Sequence, residues 1–357
     1  MNNRLALLKE RVQERLDAID DPLTGKGLFT SGRISGLDAN DGKVSFTIEA
    51  PADAVERYVA LRDRAEAEAR AVEGVTSVIA VLTAHEAKPA KAGGIARVKY
   101  VIAVASAKGG VGKSTVAVNL ASAFAALGLK TGLLDLDVYG PSAPTLLGVA
   151  GRKPEMGPDK VLRPLEAHGL KTMSVGYLVD PASAMIWRGA MATSAVRQML
   201  DDVAWGELDV LLLDLPPGTG DVQLTLVQRV PLAGAVIVST PQELALADVR
   251  RGIAMFEKTR APILGIVENM AYFESPDGTR THIFGNGGAR RTAENTGAPF
   301  LGEIPIDVAL REACDAGTPL VATKPDHPVS RHFREIAQAA LANAERLNKA
   351  APRISVS

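Results

Sequence analysis

The residues best suited to chemistry stand together in residues 101–115, Val-Ile-Ala-Val-Ala-Ser-Ala-Lys-Gly-Gly-Val-Gly-Lys-Ser-Thr. An apolar run ends at Ala105, and Lys113-Ser114-Thr115 opens a stretch with helical spacing. Between them, Gly109, Gly110 and Gly112 let the backbone wrap closely around an anion, because no Cβ blocks unusual dihedrals or close approach. Backbone N–H groups of such a loop and the N-terminus of the following helix point at phosphates. A lysine in the position of Lys113 bridges the terminal phosphates, and a hydroxyl in that of Ser114 ligates Mg²⁺. Gly109, Gly110, Val111, Gly112, Lys113, Ser114 and Thr115 are therefore the candidate phosphate-binding residues.

Acids at the ends of two other apolar runs complete the set. Val210-Leu-Leu-Leu is followed by Asp214-Leu-Pro-Pro-Gly218, the arrangement in which a buried strand delivers one carboxylate to Mg²⁺. Gly218 offers a backbone N–H that could face the γ-phosphate without side-chain obstruction. Leu133-Leu-Asp135-Leu-Asp137 ends a further run, and Asp135, on the same side of the strand as Asp137, could support Mg²⁺ through water. Asn269 follows the run 263–267, and an amide side chain offers the donor and acceptor needed to read a base edge.

These groups need a scaffold that brings strand ends together. Beyond residue 98, apolar runs at 131–136, 170–175, 210–215, 234–239 and 263–267 alternate with helical patterns such as 113–127 and 242–258. That alternation predicts an α/β domain with a mostly parallel sheet and helices on both faces. Ligands of such sheets bind at the carboxyl ends of the strands, where each motif above falls. Ahead of it, residues 4–19 show one apolar helical face through Leu5, Leu8, Val12, Leu16 and Ile19. Strands are expected at 28–34, around Val44, Phe46 and Ile48 after the Asn40-Asp-Gly42 turn, and at 75–82, with a helix at 53–71. The pattern is a small α+β domain over 1–84, a linker over 85–97, the large domain over 98–348 and a tail over 349–357.

The chain has 357 residues, net charge −1 and a single cysteine, Cys314. No global basic field argues for nucleic acid or a membrane surface. No apolar run reaches the ~18 residues of a membrane span, and residues 1–11 contain no secretory apolar core, so a cytoplasmic location is expected. One cysteine excludes an intrachain disulfide and any site built from several thiolates of one chain.

Lys108-Gly-Gly-Val-Gly-Lys-Ser-Thr115 resembles the deviant Walker A loop of dimerising ATPases such as MinD, ParA and the nitrogenase iron protein, although Ala107 replaces the first glycine of the strict pattern. The resemblance implies ATP as the nucleotide and a homodimer in which Lys108 reaches the partner's nucleotide. It also implies that Asp137 orients the attacking water and that Asn269 contacts adenine. Gly302-Glu-Ile-Pro-Ile-Asp307 is similar to a later base-contacting strand end. Residues 137–144, 186–191 (Ile-Trp187-Arg-Gly-Ala-Met), 205–221 and 283–288 resemble the Mrp/ApbC branch, the iron–sulfur cluster carrier ATPases. Asp21-Pro22 and the Gly-Val-x-x-Val pattern at 74–78 resemble a small domain often fused ahead of that branch. Apo iron–sulfur client proteins or assembly factors are then the expected partners. One departure stands out. Many branch members carry Cys-x-x-Cys shortly after Asn-Met, where the dimer shares a cluster, and this chain has Tyr272-Phe-Glu-Ser-Pro-Asp-Gly278. Cluster iron takes thiolates; Glu274, Asp277 and His282 could offer only harder ligands, and Cys314 one thiolate per subunit. The alternative from another class is a ParA/MinD-like positioning switch without a cluster. The expected terminal helix at 335–348 and its tail are too short and too weakly amphipathic to supply a membrane anchor for it.

Overall fold

The computed structural model describes residues 2–40, 42–51, 54–85, 94–157, 161–178, 195–196, 198–218 and 221–350. The chain divides into two compact units, Met1–Ala90 and Lys91–Ser357.

The first unit runs α1 (Asn2–Asp17), β1 (Ile34–Asn40), β2 (Lys43–Pro51), α2 (Val55–Arg70) and β3 (Ser77–His85). β1 and β2 are antiparallel, and β3 lies parallel to β2. Alternation along β2 buries Val44, Phe46 and Ile48 against Val12, Leu16 and Tyr58 from the helices. The strand expected at 28–34 is instead a run of turns. The Thr30 N–H and hydroxyl bond the Asp17 carboxylate at 2.6 and 2.7 Å, and Ser31 N–H bonds the Gly27 carbonyl at 2.7 Å. These local bonds use the donors that a ladder would need, so the strand begins at Ile34.

The second unit is built on a nine-stranded sheet. Its elements include β4 (Val98–Ala105), α3 (Lys113–Ala126), β5 (Thr131–Asp135), β6 (Leu165–Ala167), β7 (Leu170–Ser174), β8 (Leu208–Asp214), β9 (Gly234–Ser239), β10 (Ile263–Glu274), β11 (Arg280–Thr281) and β12 (Phe300–Ile306). The strands β12-β10-β9-β4-β8-β5-β7 lie in that spatial order and are all parallel. β6 and β11 add antiparallel edges. β4, β8 and β9 are apolar almost throughout because neighbouring strands flank them and helices cover them, α3 among these. β8 lies between β4 and β5, so the ends of all three strands open onto one place.

Two elements run longer than the sequence suggests. The terminal helix spans Pro328–Ala350 rather than 335–348, and its opening proline suits the first helical turn, where no N–H partner is needed. β10 continues to Glu274 because Met270 takes a left-handed conformation (φ 55°), where the register against β12 slips. Beyond that kink the strand forms a hairpin with β11. Among the described residues, no helix is long and apolar enough to cross a membrane.

Candidate nucleotide site

The glycine-rich loop joins β4 to α3 with Gly110 (φ 81°) and Gly112 (φ 79°) in the left-handed region. A methyl group at Gly109 or Gly110 would meet nothing within 4 Å, so the outer face of the loop is open space. Gly112 is different. A Cβ there would lie 2.3 Å from Asn269 Nδ2, so the glycine is required by conformation and by close approach together. The Asn269 amide donates to the Val111 carbonyl at 2.8 Å, tying the end of the β10 core to the loop. Inside the loop the Ser106 hydroxyl donates to the Lys108 carbonyl at 3.0 Å. Lys108 is half-buried, and its ammonium makes no ion pair among the described residues. The Gly218 N–H donates to the Ser106 carbonyl at 3.0 Å, so it braces the loop, where the sequence suggested a phosphate contact.

Lys113 opens α3, and its ammonium is directed into the end of the sheet. It lies 2.5 Å from Asp214 Oδ1, 3.7 Å from Asp137 Oδ2 and 3.3 Å from Ser114 Oγ. Lys113, Asp137 and Asp214 are 6, 8 and 1 % exposed. Burial raises the pKa of Asp137, Lys113 pulls it down and Asp214 pushes it up, with a net rise. Burial, with the charge of Asp214, pushes Asp135 up to about 7 against hydrogen bonds from the backbone of Asp137 and Ala143. The Lys113, Ser114, Asp137 and Asp214 side chains thus converge from the ends of β4, β5 and β8. Two or more carboxylates against one ammonium leave an excess of negative charge, and a hydroxyl and carboxylates are hard oxygen donors. That donor set fits Mg²⁺.

Asp135 uses both oxygens on protein donors. Oδ1 accepts the Asp137 N–H at 3.0 Å, and Oδ2 accepts the Ala143 N–H at 3.1 Å and the Ser174 hydroxyl at 3.0 Å. This differs from the water-mediated metal support that its place beside Asp137 suggested.

Three residues at the site carried no decisive sequence signal. Ser174 is an ordinary serine at a strand end until the β5–β7 register sets it opposite Asp135. Glu268 is buried and accepts the Ala289 N–H at 2.6 Å, which fixes the Gly287-Gly288 start of the Gly288–Thr296 helix. Its place in an apolar strand directly before Asn269 was the available clue. Cys314 lies on the Val308–Asp315 helix, with Sγ 3.7 Å from the Thr115 hydroxyl. Burial pushes the thiol pKa up. Asp307 caps that helix by accepting the Leu310 N–H at 2.7 Å.

The segment that replaces Cys-x-x-Cys is the β10–β11 hairpin. Glu274 is ion-paired with Arg280 at 2.8 Å, Asp277 accepts the Thr279 N–H at 3.0 Å, and the His282 ring bonds the Ala271 carbonyl through Nδ1 at 3.1 Å. Glu274, Asp277 and His282 are thus spent on the hairpin itself. Among the described residues no group of three or more His, Cys, Asp or Glu side chains could hold a metal ion. Trp205 is fully buried, against Gly132. Trp187 and the rest of 186–191 lie outside the described residues.

A family model described as NUBPL iron-transfer P-loop NTPase matches residues 97–341. A second, described as iron-sulfur cluster assembly protein, matches residues 9–80. An iron-sulfur cluster carrier protein of Synechocystis is 41% identical over 341 residues, covering 93% of this chain and 96% of its own. The iron-sulfur cluster carrier protein of Salmonella typhimurium is 51% identical over 245 residues, covering 68% of this chain and 66% of its own, so that match spans just under two thirds of the relative. Among solved structures, a nucleotide-binding protein of Archaeoglobus fulgidus in complex with ADP is 44% identical, covering 67% of this chain and 93% of its own, with a TM-score of 0.59. The cell division ATPase MinD of Pyrococcus furiosus shares the fold at 22% identity, covering 68% of this chain and 99% of its own, with a TM-score of 0.52.

Proposed function

Because the chain belongs to the NUBPL iron-transfer P-loop NTPase family, we propose that it hydrolyses Mg²⁺-ATP as a homodimer and serves the delivery of iron–sulfur clusters to client proteins. The observation that carries this reading is the convergence of Lys113, Ser114, Asp137 and Asp214 at the ends of three adjacent parallel strands.

The loop backbone of 109–113 binds the phosphates, and Lys113 moves from Asp214 to the terminal phosphate oxygens. Ser114 and Asp214 would hold Mg²⁺, which would supply neutralisation of the phosphate charge. Asp137 orients the attacking water through its carboxylate, which lies 3.7 Å from the Lys113 ammonium. Lys108, half-buried and without an ion pair among the described residues, stabilises charge at the partner's nucleotide. Asn269 and the 302–307 strand end frame the base. The products are ADP and phosphate, and loss of the γ-phosphate releases the segment that carries Asp137.

The cluster is cargo. With Cys314 as the one cysteine, thiolate ligands come from clients or assembly factors rather than from a pair on this chain. The match of residues 9–80 to iron-sulfur cluster assembly proteins supports the small unit as the place where such partners dock.

The test is phosphate release by anaerobically purified protein over a range of protein concentrations, with iron and sulfide assayed on the same samples. The expected result is a rate per chain that rises with concentration and collapses in Lys108→Ala. Release independent of concentration, or unaffected by that substitution, would remove the homodimer. Absence of release would remove the ATPase. Stoichiometric cluster held by the chain, but not by Cys314→Ala, would contradict partner-supplied ligands.

A further inference from the structure

We propose that Asp135 is a positioning residue for hydrolysis, which tethers both ends of the 137–143 segment and so holds the Asp137 carboxylate beside Lys113. The proposal rests on the ATPase reading above. Asp135 ends β5 and is fully buried. One of its oxygens accepts the N–H of Asp137, where the segment leaves the strand, at 3.0 Å. The other accepts the N–H of Ala143, where the chain enters the short helix α4 (Ala143–Leu146), at 3.1 Å. The loop between them therefore opens and closes on a single carboxylate.

The tether is itself anchored. Ser174, opposite Asp135 on β7, donates to Asp135 Oδ2 at 3.0 Å and accepts the Gly176 N–H at 3.0 Å. A methyl group at Gly176 would lie 2.9 Å from Pro144 Cγ and 3.1 Å from Pro141 Cβ, so the far end of the segment rests on bare glycine backbone. Between the anchors the backbone N–H bonds are local: Val138 to the Leu136 carbonyl, Tyr139 to Asp137 Oδ1 at 3.3 Å and Gly140 to the Asp137 carbonyl; Val138 is buried, whereas Tyr139 is 65 % exposed. Asp135 makes no ion pair with Lys113, whose carboxylate partners are Asp137 and Asp214. Its effect on chemistry passes through the position of Asp137.

The test uses the full chain as wild type, Asp135→Asn, Ser174→Ala and Ser174→Thr. Single-turnover phosphate release at saturating Mg²⁺-ATP is read beside ADP affinity. Asparagine has the shape of aspartate, but its amide N–H₂ must face a backbone N–H, so one end of the segment is released. Asp135→Asn should slow release about tenfold or more while ADP affinity stays within about twofold. Ser174→Ala should fall between, with Ser174→Thr, which keeps the hydroxyl, recovering the rate. A folded Asp135→Asn with wild-type release overturns the proposal, as does a parallel loss of ADP affinity, which marks a merely structural role. If Asp135→Asn does not fold, the serine pair decides: a slow Ala with recovered Thr supports the tether, whereas a wild-type Ala, or equally slow Ala and Thr, overturns it. If wild type releases no phosphate, the ATPase reading fails; if it does release and Asp137→Ala matches it, the role of Asp137 fails; in either case the proposal falls with it.

Discussion

Lys113 Nζ and Asp214 Oδ1 lie 2.5 Å apart at the closed end of the sheet, with both side chains nearly shut off from solvent. A buried pair is costly to break from one side only, because the remaining charge has no counter-charge. Lys113→Met strands Asp137 and Asp214 together and should destabilise the large unit by about 3–5 kcal/mol. Asp214→Asn leaves Lys113 with Asp137 at 3.7 Å and should cost less. Denaturant unfolding of the two variants checks the order, which must be Lys113→Met below Asp214→Asn. Both should lose ADP binding or hydrolysis regardless of stability.

The loop glycines separate into two kinds. Gly112→Ala forces a methyl into left-handed backbone and 2.3 Å from Asn269 Nδ2, so it should cost about 1–3 kcal/mol and break the Asn269 bond to Val111. Gly109→Ala meets no protein atom within 4 Å and should leave the melting temperature nearly unchanged. Because the loop backbone is assigned to the phosphates and its open side leaves room for them, ADP affinity should fall instead. Melting curves and ADP titrations on the two variants distinguish folding from binding.

The small unit should respond to acid through Asp21. Burial pushes that carboxyl up, but hydrogen bonds from Tyr58, the Leu23 N–H, Arg33 and Thr24 outweigh it, and the pKa falls below the ordinary 3.8. A depressed folded pKa contributes stability that is present above the unfolded value and lost as pH falls through the folded one. Hydrogen exchange of amides in residues 9–80, corrected for intrinsic pH dependence, should show protection falling below about pH 4. Asp21→Asn should remove much of that dependence. An unchanged acid limb in the variant would assign the loss to other groups.

Most of the site was legible because a few short rules placed it. The glycine-lysine-serine loop, the acid after Val210-Leu-Leu-Leu and the acid at 137 all sit at ends of apolar runs, and a parallel sheet brings such ends together. The sequence could not show that Asp135 faces inward on protein donors, since that depends on the β5–β7 register and on Ser174. Nor could it show Cys314 beside Thr115, a contact across 199 positions of chain set by packing of the Val308–Asp315 helix. The strand expected at 28–34 failed for a local reason, the capture of Thr30 by Asp17. The kink at Met270 was likewise invisible, because left-handed methionine has no composition signal.

Cys314 should be a slow thiol. It is half-buried and its pKa is raised by burial, against a weak bond to Thr115. Reaction with a disulfide reagent at neutral pH should lag free cysteine by about tenfold or more, since the thiolate is the reactive form. Bound ADP should slow it further if Thr115 contacts the nucleotide. A rate equal to free cysteine would contradict the packing of the Val308–Asp315 helix against the loop.

The most direct measurement is single-turnover phosphate release by wild type and Asp137→Asn at equal ADP affinity. The expected result is release by wild type and a loss of about a hundredfold or more in the variant, as for removal of a group acting on the attacking water. Equal release by the two proteins would contradict the assignment of Asp137, and with it the catalytic use of the Lys113–Asp137–Asp214 cluster.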